Sequence, residues 1–312
     1  IVRTYDTIRA RFFHPRLKSQ IERYACDACQ RNKQLGAGYG ELPPREAQLL
    51  PWDEVAVDLI GPWKVELNGQ EVEFNALTCI DTTTNLVELI QIDSKTSAHI
   101  AQQFENCWLS RYPWPRRCVH DNGGEFTGWE FQQLMGNVGI KDVATTSRNP
   151  QANAVCERMH QTVGNVLRTL IHAHPPQTPI AARQLVDNAL ATAMHATRAA
   201  VTRVLGSSPG AIVFRRDMFL NVPLMADLVA IRDKRQQLIN ENLRRQNLKR
   251  RTFDYNVNDQ VMIKEVDPRK MGQRTNGPYF IERVHTNGTL TVRRNAHVTE
   301  RINLRLLVPY RQ

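Results

Sequence analysis

Three apolar runs between residues 53 and 92 are separated by polar turn residues. In order they are DEVAVDLIGPW, EVEFNALTCID and LVELIQI, and together they predict three antiparallel strands. Further along, helical spacing in TSAHIAQQFENCWLSRY and GWEFQQLMGNVG alternates with the strand-like runs RRCVH and IKDVAT. A long helix at about residues 153–172 and another in IAARQLVDNALATAMHATRAA follow. Residues 50–205 therefore predict a mixed α/β sheet with helices packed on it.

The flanking segments have different patterns. Residues 1–33 predict helix with a rough apolar face, and the stretch 34–52, rich in Gly and Pro, predicts a linker. Residues 226–251 predict a basic helix that contains no Gly or Pro. Residues 255–310 return to strand signals, and Asn287-Gly288 between two strand-like runs predicts a hairpin. The last segment is therefore expected to be a small all-β domain.

Charge is distributed unevenly along the chain. Residues 1–45 hold nine Lys/Arg and four Asp/Glu, a net charge of +5. Residues 46–220 hold 14 Lys/Arg and 18 Asp/Glu, a net charge of −4. Residues 221–312 hold 18 Lys/Arg and nine Asp/Glu, a net charge of +9. Basic ends suggest a polyanionic partner, most simply nucleic acid, although a well-solvated surface has the same pattern. No apolar run approaches the ~18 residues of a membrane span, and no N-terminal signal sequence is recognisable, so no membrane partner is expected.

Three acidic residues stand at positions that need an explanation. Asp58 lies inside the apolar strand VAVDLIG, Asp121 follows the strand RRCVH and precedes a glycine pair, and Glu157 lies in the first turns of the long helix. A carboxylate in an apolar strand is costly unless a cation meets it. Each acid also has a plain structural explanation. Asp58 could form a salt bridge or lie at a sheet edge, and Asp121 could form a turn. Glu157 could be a solvated surface residue in a first helical turn, where the helix dipole favours acids.

The long helix carries Glu157 away from its apolar stripe. The stripe is Val155, Met159, Val163, Val166 and Leu170, whereas Glu157 is in line with Gln161, Gly164 and Arg168. If the strands of Asp58 and Asp121 are neighbours and this helix packs on their sheet, the three carboxylates converge. Such a group suits two Mg²⁺ (or Mn²⁺) ions ~3.5–4 Å apart, which clamp the attacking and leaving oxygens of a phosphoryl transfer. The first Asp would bridge both ions, and Gly123-Gly124 would give a DNA backbone room to approach.

At these residues the chain resembles the integrases of gypsy-type LTR retrotransposons and retroviruses. The family pattern is Asp, Asp and then Glu with thirty-five residues between the last two, as between Asp121 and Glu157 here. VDLIGP, DNGGEF and NPQANAVCERMHQ resemble the blocks around the three acids, and LGSSPGAIVF resembles the segment that closes the catalytic core. CDACQRNK resembles the cysteine end of the N-terminal zinc domain, and NGPYFIERV resembles the GPY/F module. The resemblance thus covers almost the whole chain.

The resemblance implies a fold and a domain order. The fold would be α/β, with a ribonuclease-H-like catalytic core built on a mixed five-stranded sheet, and the order of the elements suits that type of sheet. Residues 1–45 would be a partial zinc-binding domain with a linker, and 46–220 the catalytic core. Residues 221–254 would be a basic linker helix, and 255–312 a small GPY/F-type β-barrel.

The same resemblance implies an activity. It would comprise 3′-end processing of element DNA and joining of that end to a target strand, with Asp58, Asp121 and Glu157 as the catalytic, metal-holding residues. The partners would be double-stranded DNA and further copies of the chain, and the site of action the nucleus.

Other residues are expected to contact DNA. The loop TSRNPQAN contains Arg148, Asn149 and Gln151 and would lie near the scissile phosphate, and Arg158 and Arg168 would contribute from the helix. The structural alternative for this loop is a helix start, with Asn149 as the cap and Pro150 at the first helical position.

Cys26-x-x-Cys29 has the spacing of half a tetrahedral zinc site. The family supplies two histidines upstream of its cysteines, whereas here only His14 lies upstream, at a position where the family often has tryptophan. We therefore expect a chain that is cut inside its zinc domain, with the two sulfurs close together and Zn²⁺ held only by the full-length parent. Buried thiols are the alternative, and Cys79, Cys107, Cys118 and Cys156 are expected to be buried thiols.

Two other functions fit part of the pattern. A DDE transposase or a ribonuclease-H-like nuclease shares the fold and the metal chemistry, but the GPY/F-like segment argues against it. A catalytically inactive, domesticated DNA-binding protein belongs to a different class, and the presence of all three acids disfavours it.

Overall fold

The computed structural model describes residues 2–24, 26–32, 36–47, 50–67, 70–145, 154–202, 205–266 and 268–310. The chain divides into two compact units. Pro44–Asn242 form the first, called the core unit below. Ile1–Pro43 and Leu243–Gln312 together form the second, called the end unit, so both ends of the chain contribute to one body.

The described secondary structure follows the predicted order closely. The helices are α1 (Val2–Arg9), α2 (Leu17–Arg23), α3 (Asp27–Asn32), α4 (Ser97–Phe104), α5 (Gly124–Thr127), α6 (Trp129–Val138), α7 (Ala154–Ala173), α8 (Pro179–Ala199), α9 (Pro209–Phe214) and α10 (Leu228–Asn247). The strands are β1 (Glu54–Leu67), β2 (Gln70–Asp81), β3 (Val87–Ile92), β4 (Arg117–His120), β5 (Lys141–Ala144), β6 (Gln260–Lys264), β7 (Thr275–Val284), β8 (Thr289–Arg293), β9 (Thr299–Asn303) and β10 (Leu307–Pro309). A π-helical turn, Glu105–Leu109, continues α4, and a 3-10 turn, Leu304–Leu306, precedes β10.

The core unit is built on a five-stranded mixed sheet with the order β3-β2-β1-β4-β5. The first three strands form an antiparallel meander. β1 and β4 are parallel, as are β4 and β5. The predicted mixed α/β core with five strands is confirmed.

Both faces of this sheet are covered, because side chains alternate along each strand. Ala56 and Ile60 of β1 pack in one apolar cluster with Met159 and Val163 of α7 and with residues of α8. Val55, Val57, Leu77 and Cys79 belong to a cluster on the opposite face, which contains residues of α4, its π-helical turn and α6. Met159 and Val163 are buried, as the predicted stripe of the long helix requires.

Local signals explain several helix boundaries in the core unit. The side chain of Thr178 accepts the backbone N–H of Ala181 at the start of α8, and Pro179 occupies the first turn of that helix. α6 ends at Gly139, whose φ of 71° is the left-handed conformation typical of a helix C-terminus. Cys79, Cys107, Cys118 and Cys156 are buried free thiols, as expected.

The end unit contains a five-stranded antiparallel sheet with the order β10-β6-β7-β8-β9. Asn287-Gly288 lies between β7 and β8, and Gly288 has a φ of +74°, so the predicted hairpin is confirmed. The apolar centre of this sheet contains Val261, Ile281 and Val292, and its closure into the small β-barrel that the resemblance implies stays a prediction. The segment predicted to be helical at 1–33 forms the three short helices α1, α2 and α3.

Residues 36–43, called the strap below, hold the end unit together. The amide of Asn247 accepts the N–H of Leu42 at 2.9 Å and donates to its carbonyl oxygen at 3.1 Å. The N–H of Gly40 donates to the carbonyl of Arg251 at 2.9 Å. Leu42 is only 7% exposed and belongs to the apolar centre of the sheet. This part of the stretch predicted to be a linker is therefore a structural element.

Candidate active site

Asp58 lies on β1, and Asp121 directly follows the parallel neighbouring strand β4. The register pairs Ala56 of β1 with Val119 of β4. Two residues further along each chain segment are Asp58 and Asp121, so continuing the register sets these two acids side by side. Neighbouring strands in a sheet lie about 4.8 Å apart. The two carboxylates thus start from backbones that are one strand spacing apart.

Asp58 belongs to the sheet face that α7 covers, because it alternates with Ala56 and Ile60, which pack against α7 and α8. Asp121 is two residues beyond Val119, the partner of Ala56, so it would lie on the same face if the alternation of β4 continued by one more residue. Asp58 is partly buried, whereas Asp121 is exposed. One acid is therefore embedded in the sheet, and the other stands where a polymer can reach it.

A contact between α7 and β2 fixes the level of the helix. Thr78 is the cross-strand partner of Asp58, and its hydroxyl lies 3.3 Å from Nε2 of His160 on α7. Burial lowers the pKa of His160 to about 4, so the ring is neutral at neutral pH. Glu157 is three residues before His160 on the same helix, although its side chain lies outside the described residues.

Asp121 also forms the turn that its sequence context suggests. Its Oδ1 accepts the N–H of Gly123 at 2.9 Å. Gly123 has φ −60° and ψ 143° and precedes α5, so the glycine pair is not used for left-handed backbone here. A Cβ added at Gly124 would meet nothing within 4 Å, so the space around this glycine is open. The turn explanation and a ligand role are compatible, because a carboxylate accepts several bonds at once.

His120 and Asn122, which the sequence analysis did not single out, connect this turn to β5 and to the residue that follows it. The ring of His120 is fully buried, and its Nε2 lies 2.5 Å from Oδ1 of Asp142. The side-chain N–H of Asn122 donates to the carbonyl oxygen of Thr145 at 2.9 Å. Asp142 is an acid inside the short strand run IKDVAT, which is the same signal that drew attention to Asp58.

The structure describes some of the expected DNA-contacting residues and not others. Arg148, Asn149 and Gln151 lie outside the described residues, as does the side chain of Arg158. Arg168 is exposed on α7, where its guanidinium donates to the carbonyl oxygen of Gly164 and to Oδ1 of Asn165. Arg168 thus lies along its own helix, with its charge at the surface.

The expected partial zinc site of Cys26 and Cys29 stays a prediction. Cys26 and Cys29 are half-buried free thiols at the start of α3, and Nδ1 of His14 accepts the N–H of Arg16. Among the described residues, no three His, Cys, Asp or Glu side chains are grouped as metal ligands. The side chain of Glu157 is not among these described residues.

The donor set at the sheet nevertheless suits a divalent cation. Asp58 and Asp121 offer carboxylate oxygens on one face, and hard cations such as Mg²⁺ prefer oxygen ligands. Two carboxylates one strand spacing apart repel each other unless positive charge is present. The residues present therefore fit a site for Mg²⁺ or Mn²⁺.

Three antiparallel strands followed by two parallel ones, with helices on both faces, define a ribonuclease-H-like core. The whole fold is similar to a chain of the simian T-cell lymphotropic virus intasome, which was solved in complex with PP2A regulatory subunit B56 gamma. That likeness has a TM-score of 0.63 at 14% identity and covers 94% of this chain and 91% of the viral chain. At such low identity it shows the fold alone.

Sequence relatives are polyproteins of transposable elements. The retrovirus-related Pol polyprotein from transposon TNT 1-94 of Nicotiana tabacum is 28% identical over 148 residues, which are 47% of this chain and 11% of the polyprotein. The transposon Tf2-3 polyprotein of Schizosaccharomyces pombe is 26% identical over 195 residues, which are 61% of this chain and 14% of the polyprotein. No protein-family model matches the chain. The chain thus spans only a small part of the length of the transposon polyproteins that it matches.

A search of the described helices for a stretch long and apolar enough to cross a membrane found none.

Proposed function

We propose that the chain is the integrase of a gypsy-type LTR retrotransposon and inserts element DNA into target DNA. The observation that carries the proposal is the parallel register of β1 and β4. Continued by two residues, this register would bring Asp121 beside Asp58, whose neighbours Ala56 and Ile60 pack against α7, the helix that carries Glu157. The contact between His160 and Thr78 supports it further, because it brings the first half of α7 to the level of Asp58.

Asp58, Asp121 and Glu157 would hold two Mg²⁺ or Mn²⁺ ions. When bound, such ions stabilise the charge of the reacting phosphate and activate the attacking water or 3′-hydroxyl. The chain's part is to hold its ligands rigidly. Asp58 lies between the packed residues Ala56 and Ile60 of a central strand, and Asp121 is held by its bond from Gly123. Ligands on rigid elements keep the geometry that the chemistry requires.

DNA would approach from the side on which Asp121 is exposed. The open space beside Gly124 leaves room for a phosphate backbone there. Arg148, Asn149, Gln151, Arg158 and Arg168 would contact DNA around the acids. The net charge of +9 in residues 221–312 would supply affinity that does not depend on sequence. Action as a homo-oligomer in the nucleus belongs to this proposal, because joining two element ends to chromosomal DNA requires both.

The zinc hypothesis stays in its sequence-based form. Cys26 and Cys29 would be two ligands of a site that is incomplete in this chain. Metal analysis of the purified protein tests this, because one tightly held zinc per chain would show that a complete site exists.

A strand-transfer assay on short DNA duplexes tests the proposed function. The wild-type chain should give joined products with Mg²⁺ or Mn²⁺, and Asp121→Asn should give none while its melting temperature is unchanged or higher, because like charges near Asp58 are reduced. Glu130→Gln, which removes an exposed acid on α6, is the matched control and should join DNA normally. Nicks without joining would indicate a nuclease, and DNA retention without products would indicate a binding protein.

A further inference from the structure

His120 lies directly before Asp121, and its buried ring faces two hydrogen-bond acceptors. Nδ1 meets the main-chain carbonyl oxygen of Asp121, and Nε2 lies 2.5 Å from Oδ1 of Asp142. A carbonyl oxygen has no proton to give, so Nδ1 must be the donor in the first contact. One imidazole therefore connects a carboxylate on β5 to the backbone of the exposed acid of the candidate active site.

The ring has little freedom to leave this position. It is stacked on Phe126 with a centroid distance of 5.2 Å, and it meets Phe131 edge-on at 5.9 Å. Its exposed fraction is zero. A ring that is packed on two aromatic side chains and bonded at both nitrogens has one orientation. The Nδ1–H group thus points at the Asp121 carbonyl oxygen permanently.

The strand end around His120 is fixed from the other side as well. The carbonyl oxygen of His120 accepts the N–H of Thr145 at 2.7 Å, and the side chain of Asn122 donates to the carbonyl of Thr145 at 2.9 Å. Together with the bond to Asp142, three contacts join the end of β4 to β5. The main chain on both sides of Asp121 is therefore tied to a neighbouring strand.

The consequence concerns Asp121 itself. His120 holds its carbonyl oxygen, and the N–H of Gly123 holds its Oδ1. With both groups held, the direction of the carboxylate is set before any cation arrives. Groups behind a metal ligand that fix its orientation typically change metal affinity or activity 10- to 100-fold when they are removed, as a rough guide.

We propose that His120, held by Asp142, is a positioning residue that orients Asp121 for divalent-cation binding. This inference rests on the proposed function, because it takes Asp121 to be a metal ligand. His120 touches neither substrate nor cation in this role, and it acts through the Asp121 backbone.

Two substitutions separate the two nitrogens of the ring. The amide of His120→Asn places an N–H near the position of Nδ1 and loses the reach to Asp142, whereas the amide of His120→Gln reaches towards Asp142 and loses the donor to Asp121. Mn²⁺ binding to the full chain, followed by electron paramagnetic resonance without DNA, measures the site apart from catalysis. We expect His120→Gln to weaken Mn²⁺ binding about 10- to 100-fold and His120→Asn to remain close to wild type. Melting temperatures in the absence of Mn²⁺ are recorded for both variants.

The outcomes separate this role from a structural one and from the proposed function. If His120→Gln folds and binds Mn²⁺ as well as wild type, the positioning role is overturned. It is also overturned if His120→Gln and His120→Asn both lose Mn²⁺ binding in proportion to the fall in their melting temperatures. If His120→Asn does not fold, Asp142→Asn replaces it: the role then requires Mn²⁺ binding near wild type, since the amide N–H of the new side chain can donate to Nε2 while Nδ1–H keeps its bond to the Asp121 carbonyl oxygen. If Asp121→Asn binds Mn²⁺ as well as wild type does, the metal site itself is overturned. If Asp121→Asn loses Mn²⁺ binding and His120→Gln does not, only the role of His120 is overturned.

Discussion

Nε2 of His160 lies 3.3 Å from the hydroxyl of Thr78, across the interface between α7 and the central sheet. Because Thr78 pairs with Asp58 in the β1–β2 register, this contact fixes α7 at the level of the embedded acid. Glu157 is three residues earlier, a rise of about 4.5 Å along the helix axis. The polar contact thus sets the height of this part of α7 relative to the sheet.

Replacing Thr78 tests this anchor. Thr78→Val keeps the shape but leaves the His160 ring without its partner, which should lower the free energy of unfolding by about 1–3 kcal/mol. Thr78→Ser keeps the hydroxyl and is the matched control. Urea unfolding measures the stability, and strand transfer should fall further in Thr78→Val than in Thr78→Ser. Equal joining by the two variants would show that the contact does not set the position of the helix.

The neutral state of His160 predicts an acid-sensitive stability. Burial lowers its pKa from 6.5 to about 4 in the folded chain. Between these values the unfolded chain binds a proton that the folded chain does not, so stability is complete above the unfolded pKa and falls as the pH is lowered through this window. His160→Gln removes this proton and should give a shallower decline. Urea midpoints measured above and inside the window compare the two chains, and parallel declines would contradict the prediction.

The elements of the core unit could be predicted from the sequence because their signals are local. Period-two runs gave the strands, and the spacing of Met159 and Val163 gave the buried side of α7. The neighbouring positions of Asp58 and Asp121 needed the additional assumption that β1 lies beside β4. The resemblance of the motifs to the family supported that assumption, whereas the hydrophobic periodicity of the chain does not predict which strands are neighbours.

Other features depend on contacts between distant residues and had no local signal. His120 and Asp142 are 22 residues apart on different strands, and the resemblance assigned no role to either. Leu42 stands in a stretch rich in Gly and Pro, whose composition predicts a linker. Its burial depends on Asn247, 205 residues away. Composition describes what a segment does by itself, whereas the strap is ordered by its partner.

A buried charge network in the core unit predicts a large loss of stability. Oε1 of Glu88 accepts from Arg198 at 2.6 Å and from the hydroxyl of Tyr112 at 2.5 Å. Burial and the neighbouring Glu88 raise the pKa of Tyr112 to about 12, so its hydroxyl keeps its proton. Glu88→Gln leaves the Arg198 charge unpaired and should cost about 3–5 kcal/mol of unfolding free energy.

An exposed pair serves as the control for this network. Lys64 and Glu73 are 3.3 Å apart with about half of each side chain exposed, so Glu73→Gln should change the stability by less than about 1 kcal/mol. Chemical unfolding of the two variants gives the comparison. Similar small losses in both would mean that Glu88 is as well solvated as the surface pair.

The basic C-terminal part predicts a salt-dependent affinity for DNA. Arg244, Lys249 and Lys270 are exposed. Each charge that contacts a phosphate should contribute about 0.9 to the slope of log affinity against log salt concentration. The triple variant with Gln at these positions should therefore show a shallower slope, whereas Arg116→Gln in the acidic core unit should not. Fluorescence anisotropy over a range of salt concentrations measures both, and an unchanged slope in the triple variant would assign these charges to solvation.

The amide of Asn247 predicts how the strap can be released. Asn247→Asp keeps an acceptor for the N–H of Leu42 but places a carboxylate against its carbonyl oxygen, so both the bond and the local charge balance are lost. Hydrogen exchange at the Leu42 amide should become faster by about tenfold or more, since 1.4 kcal/mol corresponds to a factor of ten. Asn240→Asp, on the same helix and bonded to Gln236, is the control. Exchange at Leu42 that stays slow would show that burial of its side chain alone holds the strap.

The bond between Leu42 and Asn247 also bears on the order in which the chain folds during its synthesis. The strap leaves the ribosome 205 residues before the amide that binds it. Every residue of the core unit, Pro44–Asn242, is translated in between. Domains generally fold as units while synthesis continues. The core unit can therefore be complete while the strap is still without its partner, and the end unit closes only when β6 to β10 have been made. When Asn242 has just left the ribosome, the nascent chain should carry a folded core unit and a strap that proteases can still cut.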